Sequence, residues 1–365
     1  MDYFFYSSGK GFSGIKTIDI SESKSYNEKG KYNWEFLKNI YFNDLLIYQV
    51  GLVSKLLRTS YDVYILSGEA HSISNWIAVL ICKARKKPLL IWGHGIYGNE
   101  KYLKKSIRHL FNRIADSHLV YGKRAGNLMI GSGISPDRIF IVYNSLDFHT
   151  QMKHYEERNI DALKLLKMKL FPVQSELPVI IFIGRLTREK KISYLLEVLY
   201  RSSKKGHKYN CLIVGGGPES DNLKTMSDSL GISDLVCFYG PSYDELTNSN
   251  LIMLAECCVS PGNVGLTAIH SMSLGTPVIT HGNMFNQGPE AEAVIHGETG
   301  LYFKEDDIDS LSDAIDDLIL NRKKLFMEVN CIRQIKKYWN PMKQSAVFDE
   351  AVLKSISAFS DKSKD

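Results

Sequence analysis

The sequence predicts an α/β protein built on two doubly wound parallel sheets, and three observations predict it. Short, near-continuous apolar runs recur along all 365 residues, as strands buried on both faces require. Segments with helical periodicity, such as ISYLLEVLYRSSKK (192–205), lie between them. The chain is also long for a single core, so two domains of ordinary size are expected.

The first series of apolar runs is YFFYSS (3–8), DVYILSG (62–68), PLLIWGH (88–94), HLVYGK (118–123) and RIFIVYN (138–144). The second is PVIIFIG (178–184), YNCLIVGGG (209–217), LVCFYG (235–240), CCVSP (257–261) and PVITHG (277–282). Alternation of β and α demands parallel strands with crossover helices, once in each series. The expected organisation is an N-terminal domain over 1–150, a Lys-rich polar junction over 151–177 and a second domain over 178–335. Pro172 and Pro178 mark the end of that junction. A C-terminal helix over 336–360, with Asn340 as N-cap and Pro341 in the first turn, is expected to pack back on the N-terminal domain. Only the tail SDKSKD has a disordered composition.

The composition, 44% hydrophobic and 23% charged, is that of a soluble globular protein. No apolar run reaches membrane-spanning length, and the opening MDYFFYSSGKGFSG lacks the charge pattern of a signal peptide. The six cysteines form no CxxC pair and sit mostly in apolar runs. That distribution fits reduced thiols in a cytoplasmic protein, with neither a zinc site nor a disulfide framework. The net charge of +5 is uneven: residues 1–150 hold 20 Lys and Arg against 12 Asp and Glu, and most of the excess lies between Lys83 and Arg124. Such an excess reads either as a solvated basic face or as a surface for anions.

Two stretches carry phosphate-like signals. In IFIGRLTREKK (181–191), Gly184 permits a tight turn, and Arg185 and Lys190 flank the start of a helix. Two cations beside helix amides suit a diphosphate, although a basic loop touching only water has the same sequence. In PGNVGLTAIHSMSLGTPVI (261–279), Gly265, Leu266 and Thr267 open a helix, so their amides can face an anion. Thr267 and His270 share a face of that helix. Both stretches follow strands, the end at which open α/β sheets bind ligands. By contrast, VGGGPESDNL (214–223) is not a dinucleotide fingerprint, because Ser220 stands where the third glycine is needed, and it reads as a structural turn.

GRLTREKK, LIVGGGPE, FYGPSYDEL, VSPGNVGLTAIHSMSLGTPVIT and GPEAEAVIHGETGLYF, in this order, resemble the retaining GT-B glycosyltransferases of family 4. Upstream, IWGHG (91–95) is similar to that family's strand-plus-histidine site, and VYNSLD (142–147) to its element near the interdomain hinge. The resemblance implies a GT-B fold, two Rossmann-like domains facing across a cleft. It also implies transfer of a sugar from a nucleotide-diphosphate sugar with retention and without a metal or cofactor. Arg185 and Lys190 would hold the diphosphate, and Gly265, Leu266 and Thr267 would add amides and a hydroxyl. Tyr239 would pass beside the base, and His94 would reach the donor sugar or its phosphate.

The sequence departs from the family in two places. The two glutamates the family carries, in the turn and in the following helix, are replaced by Gly262 and His270. His270 is expected to take over as ribose partner, since imidazole both donates and accepts. The other carboxylate is expected from GPEAEAV, with Glu290 as the catalytic acid residue beside His94; Glu290 charging its own helix N-terminus is the competing reading. The chain also opens directly on DYFFYSSG, which looks like a second strand, so a first βα unit is expected to be missing. A glycan or polyprenyl-linked acceptor in O-antigen or capsule assembly is expected, with no nucleic-acid partner. The basic helical run 99–118, including Lys104, Lys105 and Arg108, is expected to rest on an anionic inner membrane face. The alternatives are a catalytically impaired GT-B binding or partner subunit, and a GT-B sugar-nucleotide epimerase.

Overall fold

The computed structural model describes residues 2–8, 32–42, 46–98 and 102–362. The start of the basic run, including Lys101, and the last residues of the C-terminal tail lie outside the described residues. The chain forms two compact units, 1–120 with 125–141 and 348–365, and 121–124 with 142–347.

In the first unit, β1 (Tyr3–Ser7) pairs in parallel with β2 (Tyr32–Phe36), and β3 (Asn39–Phe42) pairs antiparallel with β4 (Leu46–Gln49). After α1 (Leu52–Arg58) come β5 (Tyr64–Ser67), α2 (Ile73–Ala84), β6 (Leu89–Gly93), α3 (Tyr102–Ile114), β7 (Ser117–Val120), α4 (Lys123–Gly131) and β8 (Ile139–Ile141). Strands β5 to β8 form a four-stranded parallel sheet in sequential order. The expectation that YFFYSS is a strand of this sheet is corrected. It forms a separate two-stranded sheet with YNWEF, and its first three side chains are exposed rather than buried on both faces. The core packs Leu89 and Ile91 of β6 against Ala78, Val79 and Cys82 of α2 and against Phe111 of α3.

The second unit contains α5 (Phe148–Glu156) and α6 (Ile160–Leu170), so the segment read from sequence as a polar junction is two helices, capped by Asp147 and Asn159. Then follow β9 (Val179–Ile183), α7 (Ile192–Lys204), β10 (Asn210–Val214), α8 (Ser220–Ser229), β11 (Val236–Gly240), α9 (Glu245–Met253), β12 (Cys257–Ser260), α10 (Thr267–Ser273), β13 (Val278–His281) and β14 (Gly300–Phe303). The chain ends with α11 (Ile308–Leu320), α12 (Lys324–Tyr338) and α13 (Pro341–Lys362). The later part of α13, from Phe348, belongs to the first unit, where Ser355 Oγ lies 3.0 Å from Ser117 Oγ.

The sheet of the second unit has the order β11-β10-β9-β12-β13-β14, all parallel. Counted within the unit this is the order three-two-one-four-five-six of a doubly wound nucleotide-binding sheet. Its direction of growth reverses between β9 and β12, and a crevice forms at the carboxyl ends of those two strands. Helix α7 shows how sequence places the layers. Ile192, Leu195, Leu196 and Leu199 recur at helical spacing and are buried on the sheet, each contributing about 1.5–3 kcal/mol of apolar burial.

Candidate functional site

The turns after β9 and β12 flank the reversal point and are locked together. Gly262 N donates to Lys190 O at 3.0 Å, and Lys190 Nζ donates to the carbonyl and side-chain oxygens of Asn263 at 2.6 and 2.7 Å. Burial lowers the Lys190 pKa, and Glu290 and Glu189 act in the opposite direction by stabilising its charge. Arg185 is exposed, and its guanidinium makes no hydrogen bond or ion pair among the described residues. This turn reaches the crevice because glycines let it pass close to β10. A Cβ on Gly215 would lie 1.8 Å from Gly184 O, and one on Gly217 would lie 2.3 Å from Leu186 O. The triple glycine is thus a packing device for the Arg185 turn.

On the β12 side, Gly265 turns at φ +60°, a backbone region that disfavours side chains. The amides of Gly265, Leu266 and Thr267 donate to no acceptor among the described residues, as expected at a helix start. The expected role of the Thr267 hydroxyl is corrected. It donates to Ile183 O at 3.0 Å, tying α10 to the end of β9, so its proton is not available to a phosphate. The turn is held from its other side by Gln287, which accepts from Val264 N at 2.9 Å and donates to Thr280 Oγ1 at 2.8 Å.

The two positions without the expected glutamates have different physical explanations. Gly262 is pressed on the neighbouring turn: a Cβ there would lie 2.0 Å from Glu189 O and 2.8 Å from Lys190 Cα. No side chain fits, so no acid can stand there while the two turns remain zipped. His270, largely buried, places Nε2 3.0 Å from Glu245 Oε1, although not along a hydrogen-bond direction. Glu245 also accepts from Gln151 Nε2 at 3.2 Å, and Gln151 accepts from Ser273 Oγ at 2.7 Å. Burial works against the Glu245 charge, but His270, Gln151 and His154 outweigh it, and the carboxyl titrates below its usual range. Sequence reasoning missed Glu245. Its signal was the acidic start of α9 in SYDELT, which reads as an ordinary helix cap because Asp244 does accept from Thr247 N.

The loop after β13 delivers the two remaining acids to different places. Glu290 is 6% exposed, and its Oε1 accepts from Asn144 Nδ2 at 2.5 Å. Its Oε2 lies against the bare face of Gly288, where a Cβ would be 2.7 Å from that oxygen and 3.9 Å from Gly265 Cα. The carboxylate and the β12 turn therefore flank one glycine. Glu292 instead accepts from Lys123 N at 2.7 Å and Arg124 N at 2.9 Å, capping α4, and burial raises its pKa. Tyr239 is exposed at the carboxyl end of β11, followed by Gly240 and by Pro241, which packs on Gly216.

In the first unit, His94 lies exposed just beyond the carboxyl end of β6 and stacks on Tyr97 at 5.4 Å. The Arg108 guanidinium covers the other aromatic neighbour of that stack, 4.8 Å from the Tyr97 ring. Arg108, on α3, is half-buried, whereas Lys104 and Lys105 of the same helix are exposed. Among the described residues, no group of three or more His, Cys, Asp or Glu could hold a metal ion.

Comparison with known proteins agrees with this geometry. Residues 166–337 match the family model described as Glycosyl transferases group 1. An uncharacterized glycosyltransferase of Haemophilus influenzae is 28% identical over 170 residues, 46% of this chain and 45% of that protein. The α-monoglucosyldiacylglycerol synthase of Streptococcus pneumoniae is 30% identical over 151 residues, 40% of this chain and 33% of that protein. The chain thus spans less than half the length of these curated relatives. Among solved structures, Anabaena HepE in complex with UDP superposes with a TM-score of 0.73 at 17% identity, covering 97% of this chain and 100% of that one. The lipopolysaccharide outer core galactosyltransferase WaaB gives 0.68 at 18% identity, covering 97% and 99%. With its parallel sheets and reversal-point turns, the chain has the GT-B fold, and residues 166–337 are similar to the glycosyl transferases group 1 family.

Proposed function

We propose that this chain is a glycosyltransferase that moves a sugar, with retention, from a nucleotide-diphosphate sugar to a glycan or polyprenyl-linked acceptor. One observation carries the reading. An arginine and three amides that have no partner among the described residues, with a half-buried lysine, lie in the turns at the reversal point of the second sheet, and a buried carboxylate stands beside them. Arg185, Lys190 and the amides of Gly265, Leu266 and Thr267 hold the diphosphate and stabilise it as it leaves. Tyr239 lines the base, His270 meets the ribose, and Glu290 meets the sugar. The bond from the anomeric carbon to the phosphate oxygen breaks, and the acceptor oxygen bonds to that carbon from the same face. The acceptor proton passes to the departing diphosphate oxygen, so no second protein carboxylate is required. His94 is the first unit's candidate, at the end of β6 where such sheets bind ligands.

The names of several relatives support a lipid-borne acceptor in surface-polymer synthesis. They include a mannosyltransferase of Mycobacterium tuberculosis acting on phosphatidylinositol monomannoside, and the lipopolysaccharide galactosyltransferase. No described helix is long and apolar enough to cross a membrane. On α3, however, Lys104, Lys105 and Arg113 are exposed together with Ile107 and Leu110, which fits peripheral contact with an anionic inner leaflet. The test is thermal stabilisation of the purified chain by UDP, GDP and their sugars, followed by donor turnover. Stabilisation with turnover supports the transferase. Stabilisation without turnover supports a non-catalytic binding subunit, the reading favoured by glycine and histidine at the two glutamate positions. No stabilisation by either diphosphate would sink both.

A further inference from the structure

Glu290 is held from outside its own loop, by a piece of backbone in an uncommon conformation. Tyr143 has φ +50°, a left-handed value that a bulky aromatic residue adopts only when its surroundings impose it. The surroundings are specific. The Tyr143 ring lies 4.2 Å from that of Trp339, and both residues are buried. Gln344, from the first turn of α13, donates through Nε2 to Tyr143 O at 2.5 Å and accepts from Ser145 Oγ at 2.9 Å. One side-chain amide therefore grips the residues on both sides of Asn144. Between them, Asn144 extends Nδ2 to Glu290 Oε1 at 2.5 Å, leaving Oε2 with no hydrogen bond among the described residues.

We propose that Asn144 is a positioning residue for Glu290, itself set by the Gln344 amide and the Tyr143–Trp339 stack. Binding one carboxylate oxygen fixes the rotation of the group, so that the other is presented beside Gly265. The Tyr143 backbone is held by contacts, with Trp339 and Gln344, that lie next to Asn144 in the chain. This inference rests on the proposed role of Glu290 at the sugar. It adds that the acid's aim is decided by the start of the C-terminal helix, far away in sequence.

The experiment uses the full chain, with UDP and GDP as binding probes and UDP-glucose, UDP-galactose and GDP-mannose as donors. Asn144→Ala is expected to lower kcat by about ten-fold or more, while the diphosphate dissociation constant stays within about two-fold. In a Glu290→Gln background the same change is expected to cost less than about two-fold, because it acts through the group already altered. Gln344→Ala, a milder change on a half-buried helix residue, is expected to lower kcat in the same way by a smaller factor and remains informative if Asn144→Ala fails to fold. Wild-type kcat in Asn144→Ala or Gln344→Ala, or equal cost of Asn144→Ala in both backgrounds, would overturn the inference while diphosphate binding kept the proposed function standing. A wild-type chain that binds neither diphosphate would overturn the function, and this role with it.

Discussion

The turn after β9 and the turn after β12 face one crevice and are built in opposite ways. The first works through side chains: Arg185 is exposed and unpaired among the described residues, and Lys190 reaches across to Asn263. The second works through backbone, with a glycine too crowded for any Cβ, a second glycine at positive φ and three amides without acceptors among the described residues. The difference teaches that two turns at one crevice can offer different chemistry. Side-chain charge comes from one wall and backbone dipoles from the other, and Gly262 on the wall of dipoles has no room for an acid. A buried carboxylate arrives instead from a third segment, where Glu290 accepts a hydrogen bond from Asn144 and lies against Gly288.

The largest expected effect breaks this division at the third segment. Glu290→Gln keeps the shape and the Asn144 contact but removes the charge, and kcat for sugar transfer is expected to fall about 100-fold or more. The melting temperature should change little, and a rate near that of the wild type would remove Glu290 from the chemistry. At the wall of charge, Arg185→Ala is expected to weaken UDP or GDP binding by about 1.5–3 kcal/mol, as for hydrogen bonds to charged groups. Calorimetry showing unchanged affinity would leave Arg185 as a surface residue. Since Arg185 makes no hydrogen bond or ion pair among the described residues, its loss should leave stability intact, unlike loss of Lys190, which also ties the two turns together.

At the wall of dipoles, Gly262→Ala is expected to cost about 1–3 kcal/mol of stability, because its Cβ must displace backbone rather than a flexible side chain. A melt showing no loss would mean that the two turns are free to part. The smallest effect on the site is expected in the other unit, at His118. Burial, with the charge of Arg138, pushes this imidazole down to about 3, against a small opposing contribution from the Asn112 backbone. Its unfolded form takes up a proton that its folded form refuses. Its contribution is therefore complete above about pH 6.5 and is lost as pH falls toward 3, by up to about 1.4 kcal/mol per pH unit. His118→Leu should flatten acid unfolding of the chain and leave diphosphate affinity unchanged. Parallel acid titrations of both proteins check this.

Much of the second unit was legible because its information is local. An apolar run between turn residues is a buried strand wherever it sits, and PVIIFIG, YNCLIVGGG and PVITHG each formed one. The placement of the Arg185 and Gly265 turns at strand ends was legible too, since the strand and the glycine that follows it are written in consecutive residues. Strands β2 to β4 were missed because YNWEF and its successors are short, mixed and partly exposed. The role of YFFYSS was misread because an apolar run reveals strand character but not its partner.

The sequence by itself determined the β and α alternation, the doubly wound class and the two phosphate-like turns, because these depend on periodicities and turn chemistry within a few residues. Only the tertiary structure decided what each side chain near the crevice does. It spent the Thr267 hydroxyl on Ile183, gave Glu292 to the cap of α4 and left Glu290 to the crevice, and put Glu245 beside His270. It also closed Gly262 to any side chain. The physical reason is that hydrogen bonding and steric exclusion act over about 3 Å. Asn144 and Glu290, or Gly262 and Glu189, come within that range only after separate segments of the chain have packed together.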